Sequence, residues 1–200
     1  MLSTEIFVAF ITGVIGPILV IFIRKKIDAG KSKSDLVNEV IKYSEIIRLK
    51  LENIMIEHQP DRVWIVQFHN GGNFYPSGKS MTKFSMNYEV VNPGIQPVQQ
   101  KFQNIPVSLF SRSMNFLFEK SMILIPDCKS DDIDTFGLRY FMDEGGLKSC
   151  YLVSIKSIDG KFIGVLGLDY AKRKTKLNDE DMNHIFNHAS LISGNLTNKS

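Results

Sequence analysis

No charged side chain occurs between Ile6 and Ile23, and Arg24, Lys25 and Lys26 follow at once. A helix of about 18 such residues rises ~27 Å, close to the thickness of a bilayer's hydrocarbon core. One lone segment cannot close a barrel, so a helix is the only spanning form open to it. The tail before it, Met1 to Glu5, lacks Lys and Arg, whereas Lys31 and Lys33 extend the basic side. That asymmetry places the C-terminal side in the cytoplasm and the N-terminus outside. A cleaved secretory signal needs the opposite charge order and a small-residue cleavage site, and neither is present. Residues 1–27 therefore read as a single-pass anchor in contact with membrane lipid. Its marked positions are Ile6, Phe10, Gly13, Gly16, Pro17 and Phe22, ahead of Arg24, Lys25 and Lys26.

Other absences narrow the function. There are two cysteines, Cys128 and Cys150, and no CxxC or Cys/His ligand spacing, which argues against a zinc module. The net charge is only +3, with much of the excess beside the apolar run, so nucleic acid is not an expected partner. No internal repeat or low-complexity block is present.

What is present divides into a polar linker over residues 28–34 and one domain over residues 35–200. Leu36, Val40, Tyr43, Ile47 and Ile54 recur in steps of three and four, interrupted by Lys50, and Val37, Ile41, Leu51 and Met55 form a second stripe. This pattern predicts a helix from about Asp35 to Glu57, with one face for the domain and the second either for a partner or for the domain's own core. Gln59-Pro60-Asp61 ends it. Arg62 to His69 reads as a strand, Asn70-Gly71-Gly72-Asn73 as a turn, and Lys83 to Val91 as an alternating strand. In the latter, Phe84, Met86, Tyr88 and Val90 fall on one face and Lys83, Ser85, Asn87 and Glu89 on the other. Helices are predicted over Pro106–Lys120 and Asp134–Glu144, and a short strand over Ser121–Pro126. A hairpin turns at Asp159-Gly160, and Asn178 caps a closing helix.

This order of elements resembles the GAF family of small sensory domains. The strongest likeness is the run Ser149–Asp169, whose Ile163 to Asp169 stretch is similar to that family's C-terminal strand, followed by Asn178-Asp179-Glu180-Asp181 and an apolar stripe. PAS and roadblock-like folds are the neighbouring alternatives. The resemblance implies an α+β fold: an antiparallel sheet flanked by helices behind the transmembrane helix, with a loop-lidded pocket used for small ligands or dimerisation. The Asn-Lys-Phe-Asp-Glu signature of cyclic-nucleotide-binding members is absent, and no cysteine can be matched to the one that carries a chromophore. No cofactor is named by the sequence.

The loop His69 to Lys83 is the leading ligand-binding segment, with His69, Asn70, Tyr75, Ser80 and Lys83 as candidate contacts. Ser85, Asn87 and Glu89 continue its polar face. Gly78-Lys79-Ser80 lacks the phosphate-loop spacing and is followed by a strand rather than a helix. Cys128 and Cys150 could form a redox pair of the GAF-type methionine sulfoxide reductase kind, but no activating cation is spaced beside either. His184 and His188 lie one helical turn apart and outside the apolar stripe, so a solvated face is expected rather than a metal site. Asp127, Asp131, Asp132 and Asp134 read as a solvated acidic loop. No complete catalytic constellation is present, so an enzyme is not expected. The leading expectation is a membrane-tethered cytoplasmic binding module for a small molecule or partner, assembled as a homodimer through the 35–57 helix. The alternative is a structural or membrane-active protein.

Overall fold

The computed structural model describes residue 13 and residues 15–29, 33–73 and 76–197. The chain divides into two compact units between Lys42 and Tyr43. The first contains helix α1 (Gly16–Ala29), on which Ile18 to Ile23 are exposed. Among the described residues, no helix is long and apolar enough to cross a membrane. Ile6 and Phe10 lie outside the described residues, as do the side chains of Arg24, Lys25 and Lys26. Helix α2 (Lys33–His58) begins in the first unit and ends in the second.

The second unit is built on a six-stranded antiparallel sheet: β1 (Arg62–Asn73), β2 (Ser80–Val91), β3 (Ile105–Pro106), β4 (Met122–Ile125), β5 (Ser149–Lys156) and β6 (Phe162–Tyr170). The order across the sheet is β3-β2-β1-β6-β5-β4. Helices α3 (Ser111–Lys120), α4 (Arg139–Glu144) and α5 (Asp179–Thr197) complete the unit. The α+β class and the antiparallel sheet flanked by helices are as expected from the sequence.

Period-two burial divides the sheet into two faces. Val63, Ile65, Val153, Leu166 and Leu168 meet Ile47, Leu51 and Ile54 of α2 and Ile185, Ala189 and Ile192 of α5 in one core. Trp64, Val66, Phe84, Met86, Leu152 and Val165 face the opposite core, which is roofed by the loops, α3 and α4. Two glycines of β6 make this packing possible. A Cβ on Gly164 would overlap the Val66 carbonyl, and one on Gly167 would overlap the Trp64 ring. A side chain at either position would force the strands or the indole aside.

Four local expectations are corrected. The alternation assigned to β2 fails at Asn87, where a bulge shifts the register from Ile65 opposite Tyr88 to Val66 opposite Met86. Phe84 and Met86 therefore join the loop-side core, while Tyr88 and Val90 join the helix-side core. The expected turn at residues 70–73 is still strand, because Asn70 pairs with Thr82 and Asn73 with Ser80. The helix expected from Asp134 begins only at Arg139. There the Asp134 carboxylate accepts the Phe136 N–H at 2.8 Å, and Phe136 and Gly137 both take positive φ, which no helix accommodates. The helix expected from Pro106 is first a 3-10 turn over Val107–Phe110, since Pro106 pairs with Lys83 in the sheet.

The predicted cap of α5 forms as expected. Asn178 Oδ1 accepts the Asp181 N–H at 2.8 Å, and Asp181 Oδ2 accepts the Asn178 N–H at 3.0 Å.

Candidate functional site

The sequence-predicted polar residues gather at one corner of the sheet. His69 at the far end of β1 sits opposite Lys83, and its Nε2 lies 3.0 Å from Ser85 Oγ. Ser85 is buried and also accepts the Asn104 N–H at 2.9 Å. Asn70 Oδ1 accepts the Gly72 N–H at 3.0 Å and the Ser80 hydroxyl at 3.4 Å. Asn87 donates to Gln67 at 2.6 Å. Tyr75 lies outside the described residues. His69, Lys83 and Ser85 alternate with Phe68, Phe84 and Met86, so they stand on the opposite face of the sheet from the loop-side core. These groups largely satisfy one another.

Glu89 does not join that cluster. The bulge at Asn87 turns it to the other face, where its side chain is 3% exposed and sits 3.2 Å from Arg62 Nε. Its carboxylate accepts the N–H groups of Val98 at 2.8 Å and Gln99 at 3.0 Å, tying down the start of the loop roof. Arg62 also bonds Asp169 Oδ2 at 2.9 Å and donates to the Gln96 carbonyl at 2.8 Å. Trp64 Nε1 donates to the same Asp169 oxygen at 3.0 Å. Burial pushes the Asp169 carboxyl up from its ordinary value, against the pull of Arg62 and the Trp64 N–H.

Between this network and the roof lies an apolar cavity of about 40 Å³. Its floor is Trp64, Val66, Phe84, Met86, Leu152 and Val165. Its roof is Phe102, Phe110, Met114, Leu117, Leu138 and Phe141. Phe141 meets Trp64 and Phe102 edge to face at 6.1 and 5.1 Å between ring centroids, and Phe84 meets Phe110 at 5.6 Å. The one hydroxyl in the lining, Ser113 Oγ, is already committed to the Phe110 carbonyl at 3.0 Å. The cavity thus offers shape and dispersion and no free polar group. Sequence reasoning did not single out these residues. The available signal was Phe110, Met114 and Leu117, spaced four and three from the turn before α3 into α3, with Phe102 upstream.

A groove of about 560 Å³ opens on the surface beside the cavity, lined by Phe68, Thr82, Val107, Met114, Phe118, Lys161 and Phe162. Met114 borders both spaces.

The cysteines are not arranged for nucleophilic chemistry. Both are buried and free, burial pushes the Cys128 thiol up to about 12, and it raises Cys150 well above its usual value. A protonated, buried thiol is a poor nucleophile. The helix histidines are more engaged than a solvated face implies: His188 Nε2 lies 2.8 Å from Glu57 Oε2, and the His184 ring meets the buried His58 ring at 6.4 Å. Among the described residues, no group of three His, Cys, Asp or Glu side chains is placed to hold a metal ion.

No family model matches the sequence. No curated protein matches it either. Solved structures do, and GAF domains are among them. A far-red cyanobacteriochrome photoreceptor superposes with a TM-score of 0.60 at 15% identity, covering 88% of this chain and 96% of that one. The GAF domain region of a presumed membrane protein from Geobacter sulfurreducens PCA gives 0.60 at 12% identity, over 81% and 97% of the two chains. A far-red absorbing dark-state protein with bound biliverdin IXa gives 0.57 at 12%, over 80% and 96%. At these identities the likeness establishes the fold, and that fold is GAF-like.

Proposed function

We propose that this protein is a membrane-tethered sensory module, in which a GAF-fold domain reads a small ligand at the roofed cavity and works as a homodimer. The tether rests on the uncharged run Ile6–Ile23 and the basic residues behind it, which orient the domain toward the cytoplasm. Both cysteines are buried with thiols held protonated, which favours binding over thiol catalysis.

The observation that carries the dimer is on α2. Ile47, Leu51 and Ile54 face the sheet, yet Ile46, Leu49, Asn53 and Ile56 form a second row on the opposite side and are exposed. Their spacing of three, four and three is that of a coiled-coil seam, with Asn53 at a position where a polar residue fixes register. Ile56 is 74% exposed, which a lone surface helix does not require. A second copy of α2 covers this row. Leu49→Glu with Ile56→Glu converts the dimer to monomer in analytical ultracentrifugation without loss of helicity. A wild-type chain that is monomeric at 100-fold higher concentration than the assay, about 1 mM, overturns the dimer. For the sensor, thermal shift against nucleotides, amino acids, tetrapyrroles and aliphatic acids gives a saturable rise with at least one class, and a flat response to all four overturns it. Biliverdin is disfavoured here, since drug-sized ligands occupy roughly 300–1,000 Å³ and the cavity holds about 40 Å³.

A further inference from the structure

The cavity and the neighbouring groove differ in depth and chemistry, and together they define what fits. The cavity floor carries Trp64 and presents no unsatisfied donor or acceptor, so a polar ligand would lose its hydration there without recompense. The cavity is small and wholly apolar, and an apolar void of that kind stays dry. Its wall toward the surface is Met114, an unbranched side chain that moves between rotamers at low cost. Beyond Met114 the groove is shallow and open to solvent, and is walled by Phe68, Val107, Phe118 and Phe162. Phe68 and Phe162 are stacked edge to face at 4.8 Å and form a continuous apolar wall.

Charge lies only at the rim. Lys161 lines the groove and is mostly exposed; Asp159 takes one direction of its ammonium at 2.6 Å. An ammonium has three donors, so two remain for another acceptor. Lys156 lies close by, its ammonium donating to the Phe118 carbonyl at 3.2 Å. Lys161 is the one charged side chain in the groove lining and Thr82 its one hydroxyl, Lys156 being held by the Phe118 carbonyl and Ser121 Oγ; the cavity beyond is hydrocarbon or thioether apart from the Trp64 N–H and the Ser113 hydroxyl, both already committed.

We infer that the groove and cavity bind a single-chain anionic amphiphile, with its acid group at Lys161 and its alkyl chain running past Met114 toward Trp64. This rests on the sensor reading and names the ligand class for the same site. A free fatty acid and one acyl chain of an anionic membrane lipid share this chemistry.

Trp64 is the sole tryptophan of the chain, so its emission reports the cavity alone. Bromine quenches an indole at contact range, so bromododecanoates below their micelle concentration locate the chain in the full-length protein. Saturable quenching by 12-bromododecanoate, with little from the 2-bromo isomer, is the expected result, because only the tail reaches Trp64. Lys161→Glu, a surface change, weakens 12-bromododecanoate binding about three- to fivefold, and leaves 12-bromododecanol unaffected. Vesicles of phosphatidylcholine carrying a chain-brominated phosphatidylglycerol form the second arm. Quenching there, and not by the free acid, assigns the chain to membrane lipid.

Equal quenching by the 2- and 12-bromo isomers, or none in either arm, overturns the inference. If neither arm quenches while a nucleotide, amino acid or tetrapyrrole shifts Trp64 emission, the ligand class falls and the sensor reading stands. If no compound in either set moves Trp64, both fall.

Discussion

Replacing Arg62 with Met tests whether the buried polar network or the apolar packing holds the loop roof to the sheet. Arg62 is 2% exposed and makes three contacts: Asp169 at 2.9 Å, Glu89 at 3.2 Å and the Gln96 carbonyl at 2.8 Å. Met matches much of the aliphatic stem, so the loss is mainly electrostatic. It leaves Asp169, fully buried, with only the Trp64 N–H as a strong donor, and Glu89 with its two backbone N–H groups. Removing one partner of a buried ion pair costs about 3–5 kcal/mol, because the remaining charge has neither water nor counter-charge. At about 2–4 °C per kcal/mol for a domain of this size, Tm falls by roughly 6–20 °C. Adding Asp169→Asn removes the orphaned charge and keeps an acceptor for Trp64, so the double variant regains about 1–2 kcal/mol over Arg62→Met. Urea unfolding of the full chain, followed by far-ultraviolet circular dichroism and Trp64 emission, measures each cost. A loss below about 1 kcal/mol in Arg62→Met, or strict additivity in the double variant, refutes the reasoning.

Three further outcomes are expected. Gly167→Ala places a methyl group inside the Trp64 ring, so the domain loses about 1–3 kcal/mol and Trp64 emission changes; unchanged urea unfolding and emission contradict the packing described. Cys128 and Cys150 react with an aromatic disulfide reagent only in denaturant, and rapid labelling of native protein at pH 8 contradicts their burial. His58 is buried with neither ring nitrogen hydrogen-bonded, and burial holds its pKa below 6.5 despite Asp181 at 3.5 Å. A group depressed in the folded state gives stability that is full above its unfolded pKa and is lost as pH falls, so stability declines below about pH 6.5. Glu57, held below its usual value by the His188 hydrogen bond, adds a separate loss below pH 4.5. His58→Leu removes the first decline and keeps the second, and unfolding curves across pH 4–8 that overlay with wild type exclude His58 as its source.

Local interactions wrote the parts of this fold that the sequence shows plainly. The β5–β6 hairpin turns where Asp159-Gly160 stands, with Gly160 at φ 78°. The α5 cap forms where Asn178 and Asp181 lie three residues apart. Helical spacing showed that Ile47 and Ile54 share a face, but it assigned Leu51 to a second stripe, and only packing on the sheet joined all three in one core while Val37, Val40 and Ile41 stayed exposed. Two features depended on partners distant in the chain. The bulge at Asn87 is set by pairing with Ile65 and Val66, and it moves Glu89 from a polar rim to a buried pair with Arg62. The cavity exists because the segments at residues 98–117 and 136–147, loops together with α3 and α4, fold over the Trp64 side of the sheet, bringing together apolar residues that read singly as ordinary core. A period-two pattern assigns each residue a side only while the register holds, and it cannot say which side a loop will roof. Alternation and turn chemistry thus determined the strands and helices of this protein, whereas long-range pairing decided that its enclosed space is hydrocarbon and that His69, Ser85 and Lys83 stand on the other face.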